Sequence, residues 1–146
     1  MIVTTIAGGI GNQLFMYAAA RAMALRKKTD LVLNDVTGFR EDKEYKRNFE
    51  LSCFNISYEH DRKLSFQYPY AKYFKKVSKL IKHNILSPSY YYLLDSTRNT
   101  GIDVRYFNIK GNNVYLDGYW QSEDYFKDFE AEIRKDLAFD IYSLTR

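Results

Sequence analysis

Glycines set between a hydrophobic strand and a helix bring backbone N–H groups close to a phosphate, with the helix dipole behind them. The sequence offers such a turn at Gly8-Gly9-Ile10-Gly11-Asn12-Gln13, directly after the largely β-branched residues 2–6. The dinucleotide fingerprint requires a third glycine where Leu14 stands, and the phosphate-loop pattern requires a Lys-Ser or Lys-Thr pair that does not follow. Two readings remain. Either the turn is a sharp strand-to-helix connection capped by Asn12, or Asn12 and Gln13 present amides to a ligand. The first leaves Gln13 unexplained, because a polar amide at the mouth of an apolar helix needs a partner.

Other residues with chemical potential are scattered. Asp35 and Asp117 follow short hydrophobic runs and are candidates for a base acting on a hydroxyl, although such carboxylates more often stay solvated or cap a turn. Tyr119 and Trp120 have faces that stack on sugars, and core packing competes for Trp120. His60-Asp61-Arg62-Lys63 reads as a polar surface segment, and His83 as structural at a helix end. Cys53 is the single cysteine, which excludes an intramolecular disulfide, and with two histidines it cannot complete a zinc site of Cys and His ligands. No metal is expected.

The elements that must position these residues follow from periodicity. Residues 2–6 read as a buried strand, residues 13–27 as a helix, and residues 31–33 as a second strand, which together make a right-handed parallel βαβ unit. From Leu14 to Leu25 every residue but Arg21 is apolar or aromatic, so this helix is buried nearly all round. Residues 40–47 are charged and read as a surface loop, and residues 48–51 and 54–56 as short strands or loop anchors. Residues 69–85 predict a helix with Tyr73, Phe74, Val77, Leu80 and Ile81 inward and Lys72, Lys75, Lys76, Lys79 and Lys82 outward. Residues 106–109 and 114–116 flank Gly111-Asn112-Asn113 as a hairpin. Along the strand 114–120, Val114, Leu116 and Trp120 share one face and Tyr115, Asp117 and Tyr119 the other, with Gly118 marking a bulge or a close backbone contact. Ser122 is the expected N-cap of a last helix whose buried stripe is Tyr125, Phe126, Phe129, Ile133 and Leu137.

The block Gly8-Gly9-Ile10-Gly11-Asn12-Gln13-Leu14-Phe15-Met16-Tyr17-Ala18 resembles the N-terminal signature of the α-1,2-fucosyltransferase family. A second block, Tyr115-Leu116-Asp117-Gly118-Tyr119-Trp120-Gln121-Ser122-Glu123-Asp124-Tyr125-Phe126, resembles that family's Gly-Tyr-Trp-Gln-Ser segment, and Arg47-Asn48-Phe49-Glu50-Leu51 between them also fits. The resemblance implies an α/β fold, a Rossmann-like parallel sheet with flanking helices, as the N-terminal domain of a two-domain B-type glycosyltransferase. It implies transfer of L-fucose from GDP-fucose to the 2-hydroxyl of a galactoside, with inversion and with neither metal nor cofactor. Gly8, Gly9, Gly11, Asn12 and Gln13 would then face donor or acceptor, and Tyr119, Trp120 and Gln121 the acceptor. The family's donor-binding signature, His-x-Arg-Arg-x-Asp, is absent, so residues 1–146 resemble the N-terminal half alone, without the half that grips the diphosphate. On that reading the chain by itself is inactive, and its partners are a nucleotide sugar, a galactoside and the C-terminal half.

Composition limits the alternatives. The chain has 146 residues, 46% hydrophobic and 27% charged, which is the range of one globular domain with a real core. Aromatic residues reach 17%, with 14 tyrosines, and suit extensive ring packing. No apolar run approaches a membrane span, and residues 1–24 lack the basic start of a secretion signal, so the expectation is a cytoplasmic protein. The net charge of +4 permits peripheral contact with an anionic membrane surface without requiring nucleic acid. A non-catalytic half-domain, or a small basic nucleic-acid-binding protein using the lysine face at 72–82, are the rival readings.

Overall fold

Four hydrophobic runs and the short polar pair Glu59–His60 form a single parallel sheet. The computed structural model describes residues 1–40, 42–56, 58–60, 91–95, 97 and 101–139. The helix expected at 69–85, its lysine face and His83 lie outside these residues. Strands β1 (Ile2–Thr5), β2 (Leu31–Asn34), β3 (Glu59–His60), β4 (Tyr91–Leu94) and β5 (Val114–Asp117) run parallel in the order β3-β2-β1-β5-β4. With helices packed on the sheet, this is the α/β Rossmann-like architecture that the sequence implies. As expected, β1 and β2 are parallel neighbours, paired from Ile2 with Leu31 to Thr5 with Asn34.

Both faces of β1 are buried. Ile2 and Ile6 join the main core with Leu31, Leu33, Val114, Leu116 and the helix residues Met16, Tyr17 and Met23. Val3 turns to the other face, with Val32 and Tyr115. The helix α1 (Ile10–Lys27) packs its alanine-rich body on the first face, where small side chains bring its backbone close to the sheet. It begins earlier than expected. Gly9, extended at φ −74° and ψ 170°, is the N-cap and offers no side chain, so Asn12 lies inside the first turn and is not the cap. At the other end Lys28 takes the left-handed conformation at φ 51° and closes the helix through its N–H.

Two expectations at the C-terminal side are overturned. Residues 106–109 form no hairpin: Arg105–Asn108 is a short helix, α3, following α2 (Thr37–Arg40), and β5 pairs in parallel with β1 and β4. Tyr106 is the reason, since its ring packs in the core against Trp120 and Tyr125 while its hydroxyl donates to the Ala19 carbonyl at 2.6 Å. Ser122 does cap, accepting from the Asp124 N–H, but it caps a 3-10 turn, Glu123–Tyr125. A second 3-10 turn, Lys127–Phe129, precedes the true helix α4 (Glu130–Asp136). The bends still turn Tyr125 and Ile133 inward. Asp136 then ties α4 to α1, accepting from the Tyr17 hydroxyl at 2.9 Å and Arg21 Nε at 2.7 Å.

Candidate functional site

Ligands of parallel sheets gather outside the carboxyl ends of the strands, where the strand order breaks. Here the break falls between β1 and β5. The segments leaving those two strands are the glycine turn and residues 118–121, so the two sequence blocks meet at the same place. Asn12 Oδ1 accepts a hydrogen bond from Gln121 Nε2 at 2.6 Å, across 109 positions of sequence. Gly8 has φ +76°, and a methyl group on it would lie 2.9 Å from Asn12 Nδ2 and 3.4 Å from the Tyr119 ring. Only glycine permits so close an approach in that conformation. Gly118, at φ +143°, leaves no room for a Cβ beside Asp95, which is the close backbone contact the sequence suggests.

Beside this junction lies an open cleft of about 410 Å³, lined by Ala7, Gly8, Gly38, Asp42, Lys43, Glu44, Tyr45, Arg47 and Tyr119. Its outer wall is the charged segment expected as a surface loop. Asp42 organises that loop, accepting from the backbone N–H groups of Tyr45 at 2.9 Å and Arg47 at 3.2 Å. Those bonds, the one from Tyr45 foremost, hold the Asp42 carboxyl below its ordinary pKa. The Arg47 guanidinium lies over the Tyr45 ring, 4.4 Å from its centroid. On the β2 side, Asn34 fixes the approach to Gly38. Its Oδ1 accepts from Thr37 N at 3.1 Å, and its Nδ2 donates to Thr37 Oγ1 and to the Tyr115 hydroxyl.

Gln13 explains how the wall is held. It is fully buried, donates to the carbonyls of Gly8 and Asn48, and accepts from Glu50 N–H, each at 2.9 Å. Its amide is thus engaged by the backbone and anchors residues 48–50 to the glycine turn. Trp120 is fully buried in the core, with its ring edge-on to Tyr125 at 5.4 Å, in the left-handed conformation at φ 53°. Tyr119 and Gln121, the residues either side of it, are exposed. The reversal at Trp120 therefore turns its neighbours outward. Gly9 and Gly11 lie at the start of α1, and Gly9 faces the Arg47 side chain.

The carboxylates offered as bases part company. Asp117 receives a hydrogen bond from the Tyr92 hydroxyl. Asp35 pairs instead with His60 Nδ1 at 2.8 Å, which joins two residues the sequence kept apart. Tyr45, Arg47 and Asp42 were missed as cleft residues, although Arg47 opens the intermediate block of the resemblance. Among the described residues, no three or more His, Cys, Asp or Glu side chains converge as metal ligands, and no helix is long and apolar enough to cross a membrane.

Tyrosine rings and charged side chains of both signs line the open cleft, which suits a hydroxyl-rich ligand better than an apolar one. Comparison with known proteins finds a partial similarity. Over 57 residues the chain is 42% identical to the O-antigen biosynthesis glycosyltransferase WbnK of Escherichia coli, a stretch covering 37% of this chain and 18% of that protein. No family model and no solved structure matches.

Proposed function

We propose that this chain forms the acceptor-facing part of a glycosyltransferase that moves L-fucose from GDP-fucose to the 2-hydroxyl of a galactoside. The observation that carries the reading is the Asn12–Gln121 hydrogen bond, which joins the two blocks resembling α-1,2-fucosyltransferases, each of which also gives one residue, Gly8 and Tyr119, to the lining of one cleft. The similarity to an O-antigen glycosyltransferase supports the reaction class. In this reading Tyr119 stacks on the galactose ring, and Asn12 and Gln121 bond its hydroxyls. Gly8 lets the backbone of the turn approach the sugar. The hydroxyl attacks the anomeric carbon of the donor with inversion, and the bond to the diphosphate breaks with its electron pair leaving on phosphate. Arg47 adds positive charge near that oxygen, while the main diphosphate clamp belongs to a C-terminal half.

Titrating the chain with lactose and following the tyrosine ring resonances tests the acceptor site. Lactose is expected to shift the Tyr119 signals, and Asn12→Ala is expected to weaken binding about tenfold, the equivalent of one hydrogen bond. Transfer from GDP-fucose is expected to require the joined C-terminal half. No response to lactose would defeat the acceptor assignment, and robust turnover by these 146 residues alone would defeat the division of labour.

A further inference from the structure

A residue as bulky as tryptophan in the left-handed conformation is a backbone outlier, and such strain persists only where the surroundings over-determine it. Trp120, at φ 53°, is held from two sides. Its ring is fully buried and packs edge-on to Tyr125 at 5.4 Å and against Tyr106 at 5.7 Å. Its backbone is met by Asp95, which directly follows β4. The Trp120 N–H donates to Asp95 Oδ2 at 3.3 Å, and the Ser122 N–H closes the far side of the turn on the Trp120 carbonyl at 2.8 Å.

Asp95 makes that contact with little freedom of its own. Its other carboxylate oxygen, Oδ1, accepts from the Thr97 N–H at 3.0 Å and from the Thr97 hydroxyl at 2.7 Å, which fixes the direction of Oδ2. Its backbone N–H donates to the Asp117 carbonyl at 2.8 Å and so continues the ladder between β4 and β5. Its Cβ lies flush against Gly118, where an added Cβ would come within 2.3 Å. One residue thus touches Asp117, Gly118 and Trp120 and passes over Tyr119, which is left facing the cleft that it lines. On the other side of Trp120, Gln121 is left free to reach Asn12.

We propose that Asp95 is a positioning residue of the acceptor site: by pinning residues 117–120 it presents Tyr119 and Gln121 to the sugar before the sugar arrives. The inference rests on the acceptor reading above. A preformed aromatic platform spares the acceptor the cost of ordering it, so the gain appears as affinity. Asp95 touches no sugar in this assignment and acts through its neighbours.

The test uses Asp95→Ala in the full chain, which keeps the backbone bond to Asp117 and the Cβ against Gly118 and removes the carboxylate. The Trp120 amide is expected to be protected from hydrogen exchange, and Asp95→Ala to abolish that protection while the amides of β1 keep theirs. Lactose affinity, followed through the Gln121 side-chain amide signals, is expected to fall about tenfold in Asp95→Ala. In a Tyr119→Ala background the same substitution is expected to cost only about twofold, because the main side chain it positions is gone. An equal loss in both backgrounds would make Asp95 merely structural and overturn the proposal. So would an unprotected Trp120 amide in the unsubstituted protein, a reading independent of how the variant folds. If the unsubstituted chain binds lactose and Asp95→Ala binds it as tightly, the positioning role fails while the acceptor site stands. If the unsubstituted chain ignores lactose, both fail.

Discussion

Gln13 donates its side-chain amide to the Asn48 carbonyl at 2.9 Å and so fastens the outer wall of the cleft to the base of α1. The same side chain accepts from Glu50 N–H, so a single buried amide fixes a loop 35 positions away. Gln13→Leu would fill the space and leave three backbone groups without this partner, of which the carbonyl of buried Gly8 is the most shielded. A buried group left unpaired costs ~1–3 kcal/mol, so a loss of about that size is expected in urea unfolding. Gln13→Glu keeps the acceptor but sets a buried carboxyl against the carbonyls of Gly8 and Asn48, and is expected to cost at least as much. A loss below about 1 kcal/mol in the leucine variant would show that this anchor is dispensable.

Tyr106 predicts behaviour at high pH. Burial pushes its phenol up to about 12. The unfolded phenol ionises near 10, so between the two values the unfolded chain releases its proton first. This contribution to stability is therefore complete below about pH 10 and is lost as pH rises through about 12. Melting temperatures from pH 8 to 12 are expected to fall less steeply in Tyr106→Phe than in the unsubstituted protein. Parallel curves would remove Tyr106 as the source.

Acid acts at a different place. The Asp42 carboxyl is held below its ordinary value by the N–H bonds of Tyr45 and Arg47, and it is exposed to solvent. A lowered folded value means that its contribution is present above the usual aspartate range and is lost as pH falls through the folded value. The loop at 42–47 is therefore expected to lose hydrogen-exchange protection at Tyr45 and Arg47 below about pH 4, before the sheet does. Asp42→Ala, which removes both acceptor oxygens, should show the unprotected state already at neutral pH.

Gly8→Ala places a methyl group in a conformation at φ +76° and 2.9 Å from Asn12 Nδ2. The strain costs ~1–2 kcal/mol, and the side chain of Asn12 must move to relieve the contact. Loss of lactose affinity should exceed that seen in Asn12→Ala. Affinity equal to that of the unsubstituted protein would separate the turn from the acceptor site.

Lys28 offers a change in the favourable direction. It stands at φ 51° at the end of α1, where glycine meets no Cβ penalty. Lys28→Gly is expected to stabilise by ~1 kcal/mol and to raise the melting temperature by a few degrees.

The βαβ start was legible because its signals are local: a β-branched run, glycines, then an apolar helix and a second run. The hairpin expected around Gly111 was misread because pairing partners are a tertiary property. Val114, Tyr115 and Leu116 fit an antiparallel edge as well as a central parallel strand, and only the placement of β1 and β4 decides between them. Gln13 was recognisable as an anomaly, yet its partners at Asn48 and Glu50 lie beyond any local pattern. The Asp35–His60 pair was invisible for the same reason, since β2 and β3 bring together residues 25 positions apart. The charged loop concealed the cleft wall because Tyr45 and Arg47 carry the composition of an ordinary solvated surface.

Of the five described strands, β1 is synthesised before the others and lies in the middle of the order. One edge can pair with β2 early. The other waits for β5, because Thr4 meets Leu116 only 112 positions later. At a translation rate of about 5–20 residues per second, that edge stays open on the ribosome for on the order of 5–20 s. An unpaired edge in a β-branched strand is a template for wrong pairing. The nascent chain therefore has an interval in which aggregation competes with completion of the sheet, and a pause in synthesis before β5 would lengthen it. Yield from expression should depend on elongation speed between codons 34 and 114.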